Sequence, residues 1–281
     1  MAIKDILLPL VGEPNPAAVA AINKCVVVAG DLGARVTALA VEEEIPIRPK
    51  VVISPDLENA EESAASRSVS DARGLLKAFD AAARGHPVRS ERRIRRVDAA
   101  ADIPLNFAEA ARLTDLSLVP VKSHDSRSER IVERMIFDSG RAILMCPEEN
   151  ASELSVAFDR VMVAWDHTAP AARAVADALP LLEDAADVRV VTATDERTQS
   201  QVESGNALLR HLAEHGINAT FETIRIDGSS VGKVFEAYVK KNSIDLLVMG
   251  AYRHSRLNEV VWGGATKTII GRPPCWVLMS H

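Results

Sequence analysis

The amino-acid sequence predicts an α/β protein built as two similar domains, each a parallel sheet with helices on both faces. Three observations carry that expectation: a length of 281 residues, a set of motifs that recurs in order, and alternation of short β-branched runs with alanine-rich stretches. A chain of this length holds one large or two ordinary domains. Hydrophobic residues make up 47% and charged residues 26%, a composition that buries a core.

The repeat is read from four matches. IKDILLPL (3–10) and FDRVMVAW (158–165) each set an aspartate, Asp5 and Asp159, just before an apolar run. The shift that superposes these aspartates also lays VTALAV (36–41) on VVTATD (190–195). Further on, DLSLVP (115–120) resembles DLLVMG (245–250), and GRAILMCP (140–147) resembles GRPPCWVLM (271–279). Matches that keep their order indicate a duplication. The polar stretch 148–157 reads as a linker, and the expected domains are 1–147 and 156–281.

Within each half the elements follow from residue type. The runs 3–10, 35–41, 115–121 and 142–146, then 159–165, 188–194, 244–249 and 275–280, suit strands buried on both faces. Alanine-rich stretches at 15–33 and 168–184 suit helices between them. Asn15 before Pro16, and Thr168 before Pro170, are helix starts, where a side-chain oxygen caps free amides and proline fits the first turn. Gly30 or Gly33 ends the first helix. Strand–helix alternation implies parallel sheets with right-handed crossovers.

The formal net charge of −6 gives no electrostatic reason to expect nucleic acid or an anionic membrane as partner. VRSERRIRRV (88–97) is arginine-rich but has no aromatic residue for base stacking. Its repeat counterpart, 218–227, is not basic, so it reads as a charged edge strand. Cys25, Cys146 and Cys275 are odd in number and widely spaced, which points to reduced, buried thiols. The start MAIKDILLPL has no apolar stretch long enough for a signal peptide or a membrane span, so a cytoplasmic protein is expected.

The chemistry concentrates in MGAYRHSRLNEVVWGGATKTII (249–270). Ligands of open parallel sheets bind beyond the carboxyl ends of the strands, and the run 244–249 ends at Gly250. Gly263 and Gly264 let backbone amides approach a phosphate, and Thr266 adds a hydroxyl near a helix start. The segment resembles the C-terminal signature of the universal stress protein family: glycine, two residues, glycine, nine residues, then glycine and serine or threonine. Gly250 and Gly263 match its first and third glycines, and Thr266 matches a later threonine. Gly264 stands where many members have serine or threonine, and Arg253 replaces the second glycine.

The resemblance covers essentially the whole chain as a tandem member. It implies flavodoxin-like or Rossmann-like domains, each a parallel five-stranded sheet of order 3-2-1-4-5, packed as an internal pseudo-dimer, with a homodimer compatible. It also implies ATP or another adenine nucleotide, with Mg when ATP is bound, held by Asp166 after the first strand, Thr192 and Ala193 in the second, and Gly250, Arg253, Gly263, Gly264, Ala265 and Thr266 in the loop. Read alone, Asp166 is equally a helix cap. Arg253 leaves three outcomes open: a phosphate contact, a site reduced to a smaller ligand, or a plug. In the first half, Pro120 stands where Gly250 does, and Leu10 and Val11 stand where the acidic residue would be, so that site is expected to be lost.

No general base or carboxylate pair stands out, so turnover is not expected as the main role, slow ATP hydrolysis aside. His254, Ser255 and Glu259 lack the strained nucleophile turn of a catalytic triad. His211 and His215, spaced i, i+4, are compatible with a metal but read first as a solvated helix face. The alternative reading is a stress-response interaction protein with both nucleotide sites degenerate.

Overall fold

The structure, a computed structural model, describes residues 2–44, 55–98, 101–149, 151–196, 198–251, 253–256, 259–262 and 264–281. The N-terminal half runs β1 (Asp5–Leu10), α1 (Pro16–Asp31), β2 (Arg35–Glu44), α2 (Pro55–Gly85), β3 (Arg89–Asp98), α3 (Ile103–Ala111), β4 (Leu116–Val121), α4 (Ser126–Asp138) and β5 (Ala142–Pro147). The C-terminal half repeats the order with β6 (Arg160–Ala164), α5 (Ala169–Leu182), β7 (Asp187–Ala193), α6 (Gln199–Glu214), β8 (Ala219–Ile224), α7 (Val231–Asn242) and β9 (Leu246–Gly250). After β9 a hairpin, β10 (Arg253–Arg256) and β11 (Glu259–Trp262), precedes α8 (Gly264–Gly271) and β12 (Trp276–Ser280). That hairpin was not expected from the sequence.

Each half shows the order 3-2-1-4-5, but the two five-stranded sheets are not separate. They merge into one ten-stranded sheet, β3-β2-β1-β4-β5-β12-β9-β6-β7-β8. Within each half the strands pair in parallel, and β5 meets β12 antiparallel with Met145 opposite Val277 and Leu144 opposite Leu278. Alternate residues feed two cores. Ile6, Leu8 and Val163 face α1, α2, α5 and α6, whereas Leu7, Met162 and Leu247 face α3, α4, α7 and α8. This is why the strands read as continuous apolar runs.

The caps form as their residue types dictate. Asn15 accepts from the amides of Ala17 and Ala18, Thr168 accepts from Ala171, and Gly33, at φ 62°, follows the end of α1. The repeated Asp–Leu motif has a structural job. Asp115 accepts from the amides of Lys4 and Asp5 at 2.9 and 3.0 Å, and Asp245 accepts from Arg160 at 2.9 Å. Each therefore ties the start of a fourth strand to the start of a first.

The segment joining β5 to β6 is packed rather than loose. Ala151 is buried, Lys24 donates to the Leu154 carbonyl at 2.8 Å, and Trp276 donates to the Ser155 carbonyl at 3.0 Å. Cys25, Cys146 and Cys275 are all free and buried, and burial pushes the Cys146 and Cys275 thiols up. No helix of the described residues is long and apolar enough to cross a membrane.

Trp276 is fully buried in β12, edge-on to Phe158 at 5.9 Å. Trp276→Ala is expected to cost about 3–5 kcal/mol, read as a lower urea midpoint. Burial, followed by the charge of Glu149, raises the Glu148 carboxyl to about 7. Since the fold favours the neutral acid, that stability is complete below the unfolded value of about 4.3 and is lost as pH rises through about 7. Glu148→Gln should remove this fall from the stability–pH curve.

Candidate functional site

The carboxyl ends of β6, β7 and β9 open into a cavity of about 680 Å³ in the C-terminal half. Its first wall follows β6. Ala164, Trp165 and Asp166 lead through His167, at φ 63°, into the Thr168 cap of α5. Asp166 Oδ1 accepts from the Thr168 hydroxyl at 2.6 Å and from the Thr168 amide at 3.2 Å. Asp166 thus steadies the residue that caps α5 while still lining the cavity. Trp165 donates its indole N–H to Ser204 on α6 at 2.8 Å.

The second wall is the loop into α7. Asp195 Oδ1 accepts from the amides of Ile226 and Asp227, and left-handed Asp227 and Gly228 tighten the turn. The turn delivers Ser229, and Ser230 as the cap of α7, to the cavity; Val231 and Phe235 supply its apolar surface. Behind them burial raises the Tyr238 hydroxyl to about 12, and it donates to Glu222.

The third wall is β9 and α8, through Met249, Gly250, Gly264, Ala265 and Thr266. A Cβ on Gly250 would lie 2.5 Å from the Ala171 nitrogen and 2.6 Å from the Pro170 carbonyl carbon, so only glycine lets the strand end against α5. Gly264 opens α8 with free space around it, and Thr266 is buried.

Six of the residues expected from the sequence therefore line one cavity: Asp166, Ala193, Gly250, Gly264, Ala265 and Thr266. Thr192 does not. It is buried, and its hydroxyl donates to the Trp165 carbonyl at 2.7 Å, stitching β7 to β6. Arg253 begins β10, its backbone opposite Trp262, and Gly263 lies outside the described residues. The wall of Ile226, Ser229, Ser230, Val231 and Phe235 was missed. The signal for it was Ser230 ahead of an apolar helical run, a helix-start pattern.

Electrostatically, three helix N-termini meet at this cavity, those of α5 at Thr168, α7 at Ser230 and α8 at Gly264. Each presents its first-turn amides and the positive end of a helix dipole. Among the described residues no lysine or arginine lines the space. In the N-terminal half the space beside the first strand holds only about 30 Å³, closed in by Leu10, Val11, Val41, Leu75, Ile103 and Phe107, while a separate cavity of about 740 Å³ lies between the starts of α3 and α4, lined by Asp102, Arg127, Arg130 and Arg134.

The arginines of β3 are engaged within the fold. Arg92 pairs with Asp80 at 2.8 Å, Arg93 with Glu91 at 2.8 Å and Arg96 with Glu42 at 3.4 Å, while Arg95 bonds Asn106 at 2.9 Å. This is the charged edge strand, its exposed guanidiniums held by partners on the strand itself and on neighbouring elements.

Residues 157–281 match the model of the universal stress protein family. Across the whole chain the fold is similar to a universal stress protein from Archaeoglobus fulgidus DSM 4304, at 14% identity and a TM-score of 0.66, covering 98% of this chain and 97% of that one. It is also similar to a putative universal stress protein from Pseudomonas aeruginosa UCBPP-PA14, at 12% identity and a TM-score of 0.59, covering 99% and 93%. No curated protein matches the chain. The family match thus covers the C-terminal half, and the N-terminal half repeats its fold.

The glycines yield a test. Gly250→Ala should cost roughly 1–3 kcal/mol or more, because the clash is with backbone, whereas Gly264→Ala should stay within about 0.5 kcal/mol. Urea denaturation of the two variants compares them directly.

Proposed function

We propose that the chain is a tandem universal stress protein, with domains 1–147 and 156–281 forming an internal pseudo-dimer, that binds an adenine nucleotide in the cavity of its C-terminal half. The observation that carries this reading is the meeting of three helix N-termini and one carboxylate, Asp166, on a cavity of about 680 Å³. Amides and helix dipoles suit the phosphates, and the apolar surface of Ala164, Val231 and Phe235 suits a planar base. Asp166 suits a ribose hydroxyl, Ala193 offers backbone groups to the base, and Gly264, Ala265 and Thr266 sit at the phosphate end. With ATP, Mg would ride on the phosphates, since Asp166 is the one carboxylate among the described lining residues. The protein acts as a cytoplasmic binding or signalling module. Its N-terminal half, where the equivalent space holds about 30 Å³, supports the fold rather than a second nucleotide.

A second reading, an interaction protein without nucleotide, draws on the lack of any lysine or arginine among the described lining residues. Calorimetric titration with ATP, ADP and AMP separates the two. One nucleotide should bind per chain, Gly264→Asp should weaken it at least tenfold by setting a carboxylate against the phosphates, and Val11→Asp, at a half-buried position of the N-terminal half, should leave it unchanged. Absence of binding by all three nucleotides rejects the nucleotide reading. Arg253→Gly and Arg253→Ala then assign the arginine: weaker binding in both marks a phosphate contact, and tighter binding in the glycine variant marks a plug.

A further inference from the structure

Away from the cavity, α6 ends in a pair of imidazoles. His211 lies in its last turn and His215 is its C-cap residue, both exposed. Their rings meet edge-on, with centroids 5.0 Å apart and planes at 76°. The i, i+4 spacing places both side chains over the same stretch of helix surface. Leu208 and Leu212, buried in the core, fix the backbone between them. Two imidazoles are thus carried side by side on one helix end, with ring centroids 5.0 Å apart.

We propose that His211 and His215 together chelate one divalent transition-metal ion, each through one imidazole nitrogen, with water completing the coordination. Imidazole suits Cu²⁺, Ni²⁺ and Zn²⁺, and the order of intrinsic affinities places Cu²⁺ first. A metal–nitrogen bond of about 2.0–2.1 Å requires both rings to turn a nitrogen toward one point, a rotation that two exposed side chains are free to make. Among the described residues no group of three or more histidine, cysteine, aspartate or glutamate side chains converges. The site is therefore an open, two-ligand surface site rather than a closed structural centre. The net charge of −6 favours cation approach. Bound metal pins the last turn of α6, the helix whose Ser204 anchors Trp165 at the cavity wall.

The test is titration of the full chain with Cu²⁺, followed by calorimetry and electron paramagnetic resonance. One equivalent should bind most tightly, with hyperfine structure from two nitrogens, and Zn²⁺ should compete more weakly. His211→Ala and His215→Ala should each weaken that binding by roughly 10²-fold, because the chelate collapses to a single ligand. His86→Ala and His281→Ala should leave it unchanged. Both target positions are exposed, and circular dichroism confirms that the variants fold. Cu²⁺ bound as tightly by either single variant as by the wild type, or a tightest site lost in His86→Ala or His281→Ala, overturns the assignment.

Discussion

The antiparallel meeting of β5 and β12 is the constraint on which the rest of the molecule depends. Every residue of both strands is buried. Left as sheet edges, they would each offer a long apolar row with unpaired amides, the arrangement that drives aggregation. Paired, they become the centre of one sheet whose two true edges are the arginine-bearing β3 and the short β8. The seam also reaches the cavity. At the end of α8 the Gly271 carbonyl accepts from the His124 amide at 2.8 Å, and His281 bridges Phe137 of α4 to the Ala251 carbonyl. The helix whose first residues line the cavity is therefore braced at its far end by the other half.

Much of this was legible in the sequence because it is set locally. Asn15, Thr168 and Gly33 mark element ends by their own chemistry, and Ile6, Leu8 and Val163 show buried strands by lacking polar alternation. The repeat revealed Asp115 and Asp245 as equivalents, although not that both hold strand starts. Pairing between β5 and β12 is a relation between distant segments that neither spacing nor propensity encodes, and only the family resemblance, with its internal pseudo-dimer, implied it. The same limit explains Thr192, whose hydroxyl turns inward to the Trp165 carbonyl. It explains the α7 wall too. Ser229, Ser230 and Phe235 reach the cavity only because Asp195 folds the preceding turn back on itself.

One topology thus leaves the space beside the first strand open in one half and filled in the other, and a few residues account for the difference. Phe107 and Phe235 line the two places alike, so the decisive differences lie around them. The second helix is 31 residues long in the N-terminal half and 16 in the C-terminal half. The longer α2 lays Asp71, Ala72 and Leu75 along the space, and its Ser68 hydroxyl holds the Glu43 amide at 3.2 Å. At the first strand, Leu10 and Val11 put apolar bulk where the other half has Trp165, drawn aside by Ser204, and the carboxylate of Asp166. At the fourth strand, Gly250 ends β9 against α5 through an approach no side chain permits. Pro120 does the opposite: it sits past the point where β4 pairs with β1, where an absent N–H is tolerated, and the strand continues to Val121. The open cavity thus goes with the glycine at the end of the fourth strand and with the shorter second helix.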